Sequence, residues 1–146
     1  MAKQNKFNLK QAEQKARKAL EAAIVDVGNT AKVFFVESFR KQGWDDKSVQ
    51  KWKPRKRTTY TTKSGKVVDD TTRAILVKTG DLRRSIIRNP ANRAALSIKI
   101  STDLVYAARH NNGLKNMPKR KFMGDSYNLN EKVKAVIVKR LDKIFT

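Results

Sequence analysis

Few residues of the 146-residue chain are of a type and spacing that could perform catalysis. The one histidine, His110, precedes an Asn-Asn-Gly turn and has no second histidine or cysteine with which to hold a metal ion. Ser85 lies outside the Gly-x-Ser-x-Gly pattern of a hydrolase nucleophile. Gly65-Lys66 lacks the earlier glycine of a phosphate-binding loop. We therefore predict that His110 is a turn or packing residue and not a catalytic one. The protein is then not an enzyme.

The acidic residues and the absence of cysteine lead to the same prediction. Asp45-Asp46 and Asp69-Asp70 are adjacent pairs, and the side chains of neighbours on a chain often point apart. Neither pair has a second acidic cluster nearby to complete a two-metal site. A chain without cysteine forms no disulfide and no thiolate metal site. The sequence thus predicts no cofactor and no metal.

Charge is the feature that indicates binding. The chain has 34 Lys and Arg against 13 Asp and Glu, a net charge of +21 that is spread over both halves. Such a protein attracts polyanions and repels its own copies, so the charge suits nucleic acid, an anionic membrane or an acidic protein. No run of about 18 apolar residues could span a membrane, and we expect no membrane partner. The basic N-terminus is not followed by the apolar stretch of a signal peptide.

The segment 47–66 concentrates this charge, with eight Lys and Arg and no acid. Threonines at 58–62, a turn signal at 63–66 and the following valines predict a hairpin or extended arm, inserted at about residues 45–72. Interleaved aromatic residues suit contact with single-stranded nucleic acid; the alternative is a solvated insertion that Trp52 anchors to the core. We expect the segment to be mobile until it binds a partner. The candidate contacts with a partner or DNA are Lys51, Trp52, Lys53, Arg55, Lys56, Arg57 and Tyr60.

Two helices are predicted by apolar residues that recur every three or four positions, one over residues 9–40 and one over residues 129–144. Asn8 and Gln11 resemble an N-cap and capping box, and Phe7 is placed to pack on the first turn. Gly28 weakens the first helix and predicts a kink or break there. We expect residues 24–39 to pack in the core. Residues 9–20 are expected to project or to meet a neighbour.

Between the helices the pattern changes to short strands. Residues 85–88 and 95–101 predict an antiparallel hairpin that turns at 89–92, with alternate residues of the second strand facing the core. Thr102 or Asp103 would cap a short helix that ends at Gly113, and Phe122-Met123 would add an edge strand. The predicted fold is one α+β domain over residues 1–146. Its small antiparallel sheet is flanked by a long N-terminal helix and a C-terminal helix.

Three blocks of sequence carry a resemblance to a known family. Ile75-Leu76 precedes Thr-Gly-Asp-Leu-Arg-Arg-Ser at 79–85, Tyr-Ala-Ala-Arg-His-Asn-Asn-Gly follows at 106–113, and Pro-Lys-Arg-Lys-Phe-Met-Gly lies at 118–124. With Trp-Lys-Pro at 52–54, this order resembles the phage virion morphogenesis family, the Mu-type tail-completion proteins, over about residues 33–145. The matching motif residues are Thr79, Gly80, Leu82, Ser85, Tyr106, His110, Gly113, Arg120, Phe122 and Gly124.

The resemblance implies a structural protein of a tailed phage or prophage that completes the tail, or joins tail to head, as a ring at the neck. The implied partners are further copies of the chain and neighbouring connector, tail-tube or sheath proteins, with DNA in the channel as a further candidate. The implied location is the neck or tail end of the virion, and the host cytoplasm during assembly. Because the resemblance does not imply a charge of +21, a basic nucleic-acid-binding protein without an assembly role stays the alternative.

The motif residues are expected to serve the scaffold. Gly80 would take a positive φ where the chain turns into the hairpin. Tyr106 and Phe122 would supply apolar area against the sheet, and Gly113 would end the short helix. Function would then arise from how the scaffold assembles.

Overall fold

A computed structural model describes residues 7–146, which form four helices and three antiparallel ribbons of two strands each. The elements are α1 (Leu9–Lys41), β1 (Gly43–Asp45), β2 (Val49–Lys51), β3 (Thr59–Thr61), β4 (Val67–Asp69), α2 (Asp81–Arg84), β5 (Ile87–Arg88), β6 (Ile100–Ser101), α3 (Ala107–Asn112) and α4 (Tyr127–Phe145). The predicted α+β class is confirmed. The predicted small sheet is divided into the separate ribbons β1–β2, β3–β4 and β5–β6. The expectation that no signal peptide begins the chain falls mostly on residues 1–6, outside the described part.

The long first helix begins and ends as its polar residues dictate. The side chain of Asn8 accepts a hydrogen bond from the backbone N–H of Gln11 at 3.3 Å, which confirms the predicted N-cap. At the other end, Gln42 is left-handed with φ 53° and donates its backbone N–H to Ser38. The predicted packing of Phe7 on the first turn is wrong, because that side chain is 80% exposed.

Gly28 does not break α1. The helix runs through it from Leu9 to Lys41, and the β5–β6 hairpin packs against the bare backbone there. A Cβ at this position would lie 2.2 Å from Cδ1 of Ile98 and 2.8 Å from Cδ of Arg88. The glycine therefore permits a close approach of hairpin to helix, which outweighs its weak helix propensity.

Aromatic side chains form the centre of the core. The ring of Phe39 meets Trp52 at 5.5 Å and Phe122 at 5.3 Å, and Phe34 meets Trp44 edge-on at 5.8 Å. All five are buried, so the second half of α1 packs in the core as expected. Edge-to-face pairs of this kind add to the stabilisation from area burial.

The last helix lies antiparallel to the first. Its N-cap, Ser126, accepts from the N–H of Leu129 at 3.1 Å and donates its hydroxyl to the carbonyl of Asp45 at 2.6 Å. Near the other end, Arg140 forms an ion pair with Asp26 at 2.5 Å. The predicted C-terminal helix is confirmed, and these contacts fix its register on α1.

The hairpin of β5 and β6 turns later than the sequence predicted. Asn89 still donates to the carbonyl of Lys99 at 2.8 Å, and an isolated bridge joins Asn92 to Ser97. The turn therefore lies at residues 93–96, and the prediction of a turn at 89–92 is wrong. The reason is the Asn92 side chain, which accepts from the N–H of Ala95 at 3.0 Å and closes the turn itself.

The segment after the hairpin also differs in part from the prediction. Gly113 ends α3 with φ 72°, as predicted, but the N-cap position is Tyr106 rather than Thr102 or Asp103. Phe122-Met123 forms no strand; both backbone N–H groups donate to Oδ1 of Asn111, at 2.9 and 3.0 Å. One side-chain amide thus takes the place of the neighbouring strand.

Candidate functional site

A cavity of about 360 Å³ lies between the segment 73–82, the helix α3 and the start of the basic segment. Six of the ten motif residues line it: Thr79, Gly80, Leu82, Tyr106, His110 and Arg120. Arg55 of the basic segment lines it as well. Two groups that the sequence predicted separately, scaffold motif and partner contacts, therefore meet at one place.

The first wall is built by the turn into α2. Gly80 is left-handed with φ 78°, which is the predicted positive φ, although it leads into a one-turn helix rather than directly into the hairpin. The Thr79 hydroxyl and the Arg84 guanidinium bond to the Asp81 carboxylate. These hydrogen bonds, that of Thr79 first, lower the pKa of Asp81. Leu82 follows and is buried in the core, and its packing there holds the turn in place.

Ser85, the last residue of this motif block, ties the turn to the strand region. Its hydroxyl donates to the carbonyl of Leu82 at 2.8 Å and lies 2.6 Å from the hydroxyl of Thr102. The Ser85 hydroxyl thus links α2 to the residue that follows β6.

The second wall joins α3 to the segment 118–124. The backbone N–H of Arg120 donates to the carbonyl of His110 at 2.8 Å. Gly113 permits this approach, because a Cβ there would lie 2.9 Å from Cβ of Lys119. Phe122 packs on Phe39 of α1 and not on a sheet. At the end of the segment Gly124 has φ 136°, a backbone state that favours glycine.

Arg120 is the buried cation of the site, only 6% exposed. Its Nε donates to the carbonyl of Lys53 at 3.0 Å and its Nη2 to that of Pro54 at 3.2 Å. Burial, and then the charge of Arg55, lower the pKa of Arg120. This side chain ties the basic segment to the motif.

Trp52 provides a second tie. The indole is buried against Phe39, and its Nε1 donates to the carbonyl of Lys121 at 2.8 Å. Trp52 therefore belongs to the core and is not free to contact a partner. The sequence left open whether Trp52 contacts nucleic acid or anchors a solvated insertion to the core. At the N-terminal end of the segment, the structure has Trp52 as an anchor.

Of the remaining predicted contact residues, Arg55, Lys51 and Tyr60 each interact with another part of the chain. Arg55 is half-buried, and its guanidinium donates to the carbonyls of Asp70 and Arg73, so it holds the chain that follows β4. Lys51 is exposed but donates to the carbonyl of Lys41 at 2.7 Å. Tyr60 is 40% exposed, with Nζ of Lys78 at 5.9 Å from its ring centre.

Beyond these, exposed cations form a surface that we call the basic ribbon. It extends from the anchored end of the segment along the β3–β4 hairpin. The ribbon consists of Lys53, Lys56, Arg57, Lys63 and Lys66. The hairpin itself is the one predicted, with Tyr60 paired to Val68.

His110 is half-buried in the wall of the cavity. Burial, and then the charge of Arg120, lower the pKa of His110. Its Nδ1 is buried without a hydrogen-bond partner among residues 7–146, and its ring lies edge-on to Tyr106 at 6.0 Å. Those residues contain no group of three potential metal ligands and no helix long and apolar enough to cross a membrane. The walls of the cavity thus combine cations, hydroxyl groups and apolar side chains.

Some residues that shape the site were not predicted from the sequence. The side chain of Gln42 bonds to both backbone groups of Ile75, at 2.5 and 3.2 Å, and so places the segment before the cavity. Arg73 and Lys78 line the cavity too. In a chain with 34 Lys and Arg, two more cations carry no distinctive signal.

Comparison with protein families gave one finding that bears on this site. The model of the phage virion morphogenesis family matches residues 37–142, which include all ten motif residues and every residue that lines the cavity. Searches among curated proteins and among solved structures found no match. Because the match covers well over half of the sequence, the chain belongs to the phage virion morphogenesis family, a family with a structural and assembly role.

Proposed function

We propose that the protein completes the tail, or joins tail to head, as a closed ring at the neck of a tailed phage particle, and that it has no catalytic activity. The observation that carries the proposal is the family match over residues 37–142. It fits the roles of the motif residues, which cap, anchor and pack. Such residues support a scaffold, and the scaffold acts through what it assembles with.

Two surfaces take no part in packing the core, and they are our candidates for contacts with other subunits and with partner proteins. One is the first part of α1, whose outer face is exposed and which lies outside the matched range. It forms an open groove with the end of α4, lined by Lys15, Lys18, Ala19, Ala22, Arg140, Lys143 and Ile144. The other is the basic ribbon. Two different surfaces on one subunit are what a closed ring with head-to-tail contacts requires.

The charge favours an acidic partner in the particle. A net charge of +21 opposes self-association in dilute solution, so the ring is expected to form when an acidic neck or tail protein offsets the repulsion. The isolated protein is then monomeric at low salt. This separates the proposal from one in which the chain is a stable oligomer by itself.

The second candidate function is nucleic-acid binding, and the exposed basic ribbon beside Tyr60 is the observation that favours it. Phosphate contacts give a steep salt dependence, with a log–log slope of about 0.9 per neutralised phosphate on duplex DNA. An acidic protein surface lacks the condensed counterions, so its slope is shallower. Binding measured between about 50 and 200 mM salt therefore distinguishes the two partners.

Gene deletion with complementation tests the proposal. Without the gene, we expect lysates with separate filled heads and tails, seen by electron microscopy, and restored particles when the wild-type chain is supplied. The variant K56Q/R57Q, which neutralises two adjacent cations of the basic ribbon, should fold but restore few particles. A matched control, K134Q/K139Q, removes exposed lysines of α4. Normal particles without the gene would refute the proposal. An equal loss of restored particles with both variants would show that assembly depends on the net charge of the protein and not on the basic ribbon.

A further inference from the structure

The cavity behind the motif residues has more positive charge than its own acid can balance. Arg55, Arg73, Lys78 and Arg120 line it, against Asp81 alone. Asp81 is already bonded to the Thr79 hydroxyl and paired with Arg84 at 2.5 Å. A site of this composition favours an anion.

Two of these guanidinium groups have N–H donors left over. Arg73 uses Nη2 for Asp70 at 2.9 Å, but its Nε is buried without a partner among the described residues. Arg120 uses Nε and Nη2, and its Nη1 forms no hydrogen bond within residues 7–146. A buried donor without an acceptor destabilises a protein, so an anion that reaches Nε of Arg73 would remove an existing cost.

The other walls are apolar. Ile75, Leu76, Leu82 and Tyr106 contribute them, and Leu76 is held at φ 60°, a left-handed conformation that leucine rarely adopts. Backbone strain of this kind concentrates at ligand-binding sites. Cations beside aliphatic walls suit a carboxylate that is carried on an apolar stem. A cavity of about 360 Å³ has the size of a small-ligand pocket and does not admit a duplex.

We propose that this cavity binds a carboxylate of a peptide segment from a neighbouring virion protein, with Arg73, Lys78 and Arg120 as its cationic contacts. That the peptide comes from a virion protein rests on the proposed function. That the cavity binds a carboxylate rests only on the residues that line it. The family motif then has a second role besides shaping the scaffold, because Gly80, Gly113 and Leu82 hold the backbone that forms this receptor. A carboxylate on either a side chain or a C-terminus would satisfy it.

The test uses the purified full chain and three probes, followed by NMR. The first is acetyl-Leu-Glu-Leu-amide, with a side-chain carboxylate; the second is acetyl-Leu-Gln-Leu, with only a C-terminal one; the third is acetyl-Leu-Gln-Leu-amide, with none. Because His110 is the sole histidine, its imidazole titration is unambiguous. Because the charge of Arg120 lowers the pKa of His110, a carboxylate bound beside Arg120 should raise that pKa.

At least one of the two peptides with a carboxylate should bind, shift the Nε–H resonance of Arg73 and raise the pKa of His110. Acetyl-Leu-Gln-Leu-amide, which has no carboxylate, should have none of these effects. R73Q and K78Q should each weaken binding by roughly tenfold, as expected for a charge-assisted contact. R93Q, at the exposed tip of the β5–β6 hairpin, should bind like the wild type. Which carboxylate peptide binds identifies the source of the carboxylate.

Three results would overturn the inference. They are equal binding of all three peptides, binding of none, and tighter binding of inorganic phosphate or of a short DNA duplex at the same resonances. Lys78 is exposed, so K78Q should fold even if R73Q does not. Since these experiments need no phage, their failure would leave the gene-deletion result standing, and the reverse also holds.

Discussion

Replacement of Trp52 tests whether the basic segment is anchored in the core. The indole is 6% exposed, packs edge-on against Phe39 and donates to the carbonyl of Lys121. W52F keeps an aromatic ring but removes the hydrogen bond, worth about 1 kcal/mol, and some buried area, so we expect a loss of about 2 kcal/mol. W52A leaves a cavity and should cost about 3–5 kcal/mol.

Urea unfolding followed by far-UV circular dichroism measures these losses. In a chain of this size, 1 kcal/mol corresponds to about 2–4 °C in Tm, so W52F should melt roughly 4–8 °C lower. Y60A, an aromatic change on the exposed hairpin, is the control and should change stability by less than about 0.5 kcal/mol. If W52A unfolds at the wild-type urea concentration, the segment detaches without the core, and the anchoring described above is wrong.

Three further predictions follow from particular contacts. R55Q should cost about 1–3 kcal/mol, because it leaves the carbonyl of Arg73 without its donor and removes one of the two donors to the carbonyl of Asp70, whereas K56Q/R57Q should be neutral within about 0.5 kcal/mol in the same urea titration. G28A should lower Tm despite a helix-propensity gain of about 1 kcal/mol, because the added Cβ would meet Ile98 at 2.2 Å; a higher Tm would show that the hairpin moves aside. Stability should fall as pH drops below about 6.5, since the pKa of His110 is lower in the folded chain and the unfolded chain binds the proton first. H110Q should flatten this part of the profile, and an unchanged slope would contradict the assignment.

The elements with the strongest local signals were predicted well. Leu9–Lys41 and Tyr127–Phe145 have sustained helical periodicity, and their caps, Asn8 and Ser126, are typical N-cap residues. The hairpin at Thr59–Asp69 follows from its threonines and glycine turn. Gly80 and Gly113 take the left-handed conformations expected of them. In each case, neighbouring residues alone determine the structure.

The errors arose where a side chain from elsewhere takes over a backbone hydrogen bond. Asn111 binds the N–H groups that the edge-strand prediction assigned to a sheet. The hairpin turn is a different case, because Asn92 bonds to Ala95 within the turn itself. Gln42 fixes Ile75, which is 33 residues away in sequence. No periodicity or propensity encodes such contacts.

The site was predicted in its parts but not in its arrangement. The resemblance identified six of the lining residues, but gave no reason to place Arg55 beside Arg120. The basic segment was expected to be a mobile arm. Its first residues are held by Trp52 and Arg120, whereas the mobility of the rest and its contact with a partner stay predictions. The division of the chain into one domain with an insertion stays a prediction.

Electron cryo-microscopy of the purified phage particle, with mass spectrometry of the same sample, tests the central claim most directly. The account predicts several copies of the chain in a closed ring at the neck or tail end, with the basic ribbon against an acidic surface of an adjacent protein. A single copy at an asymmetric position, or a particle that lacks the chain while the protein is recovered with nucleic acid in infected cells, would contradict it.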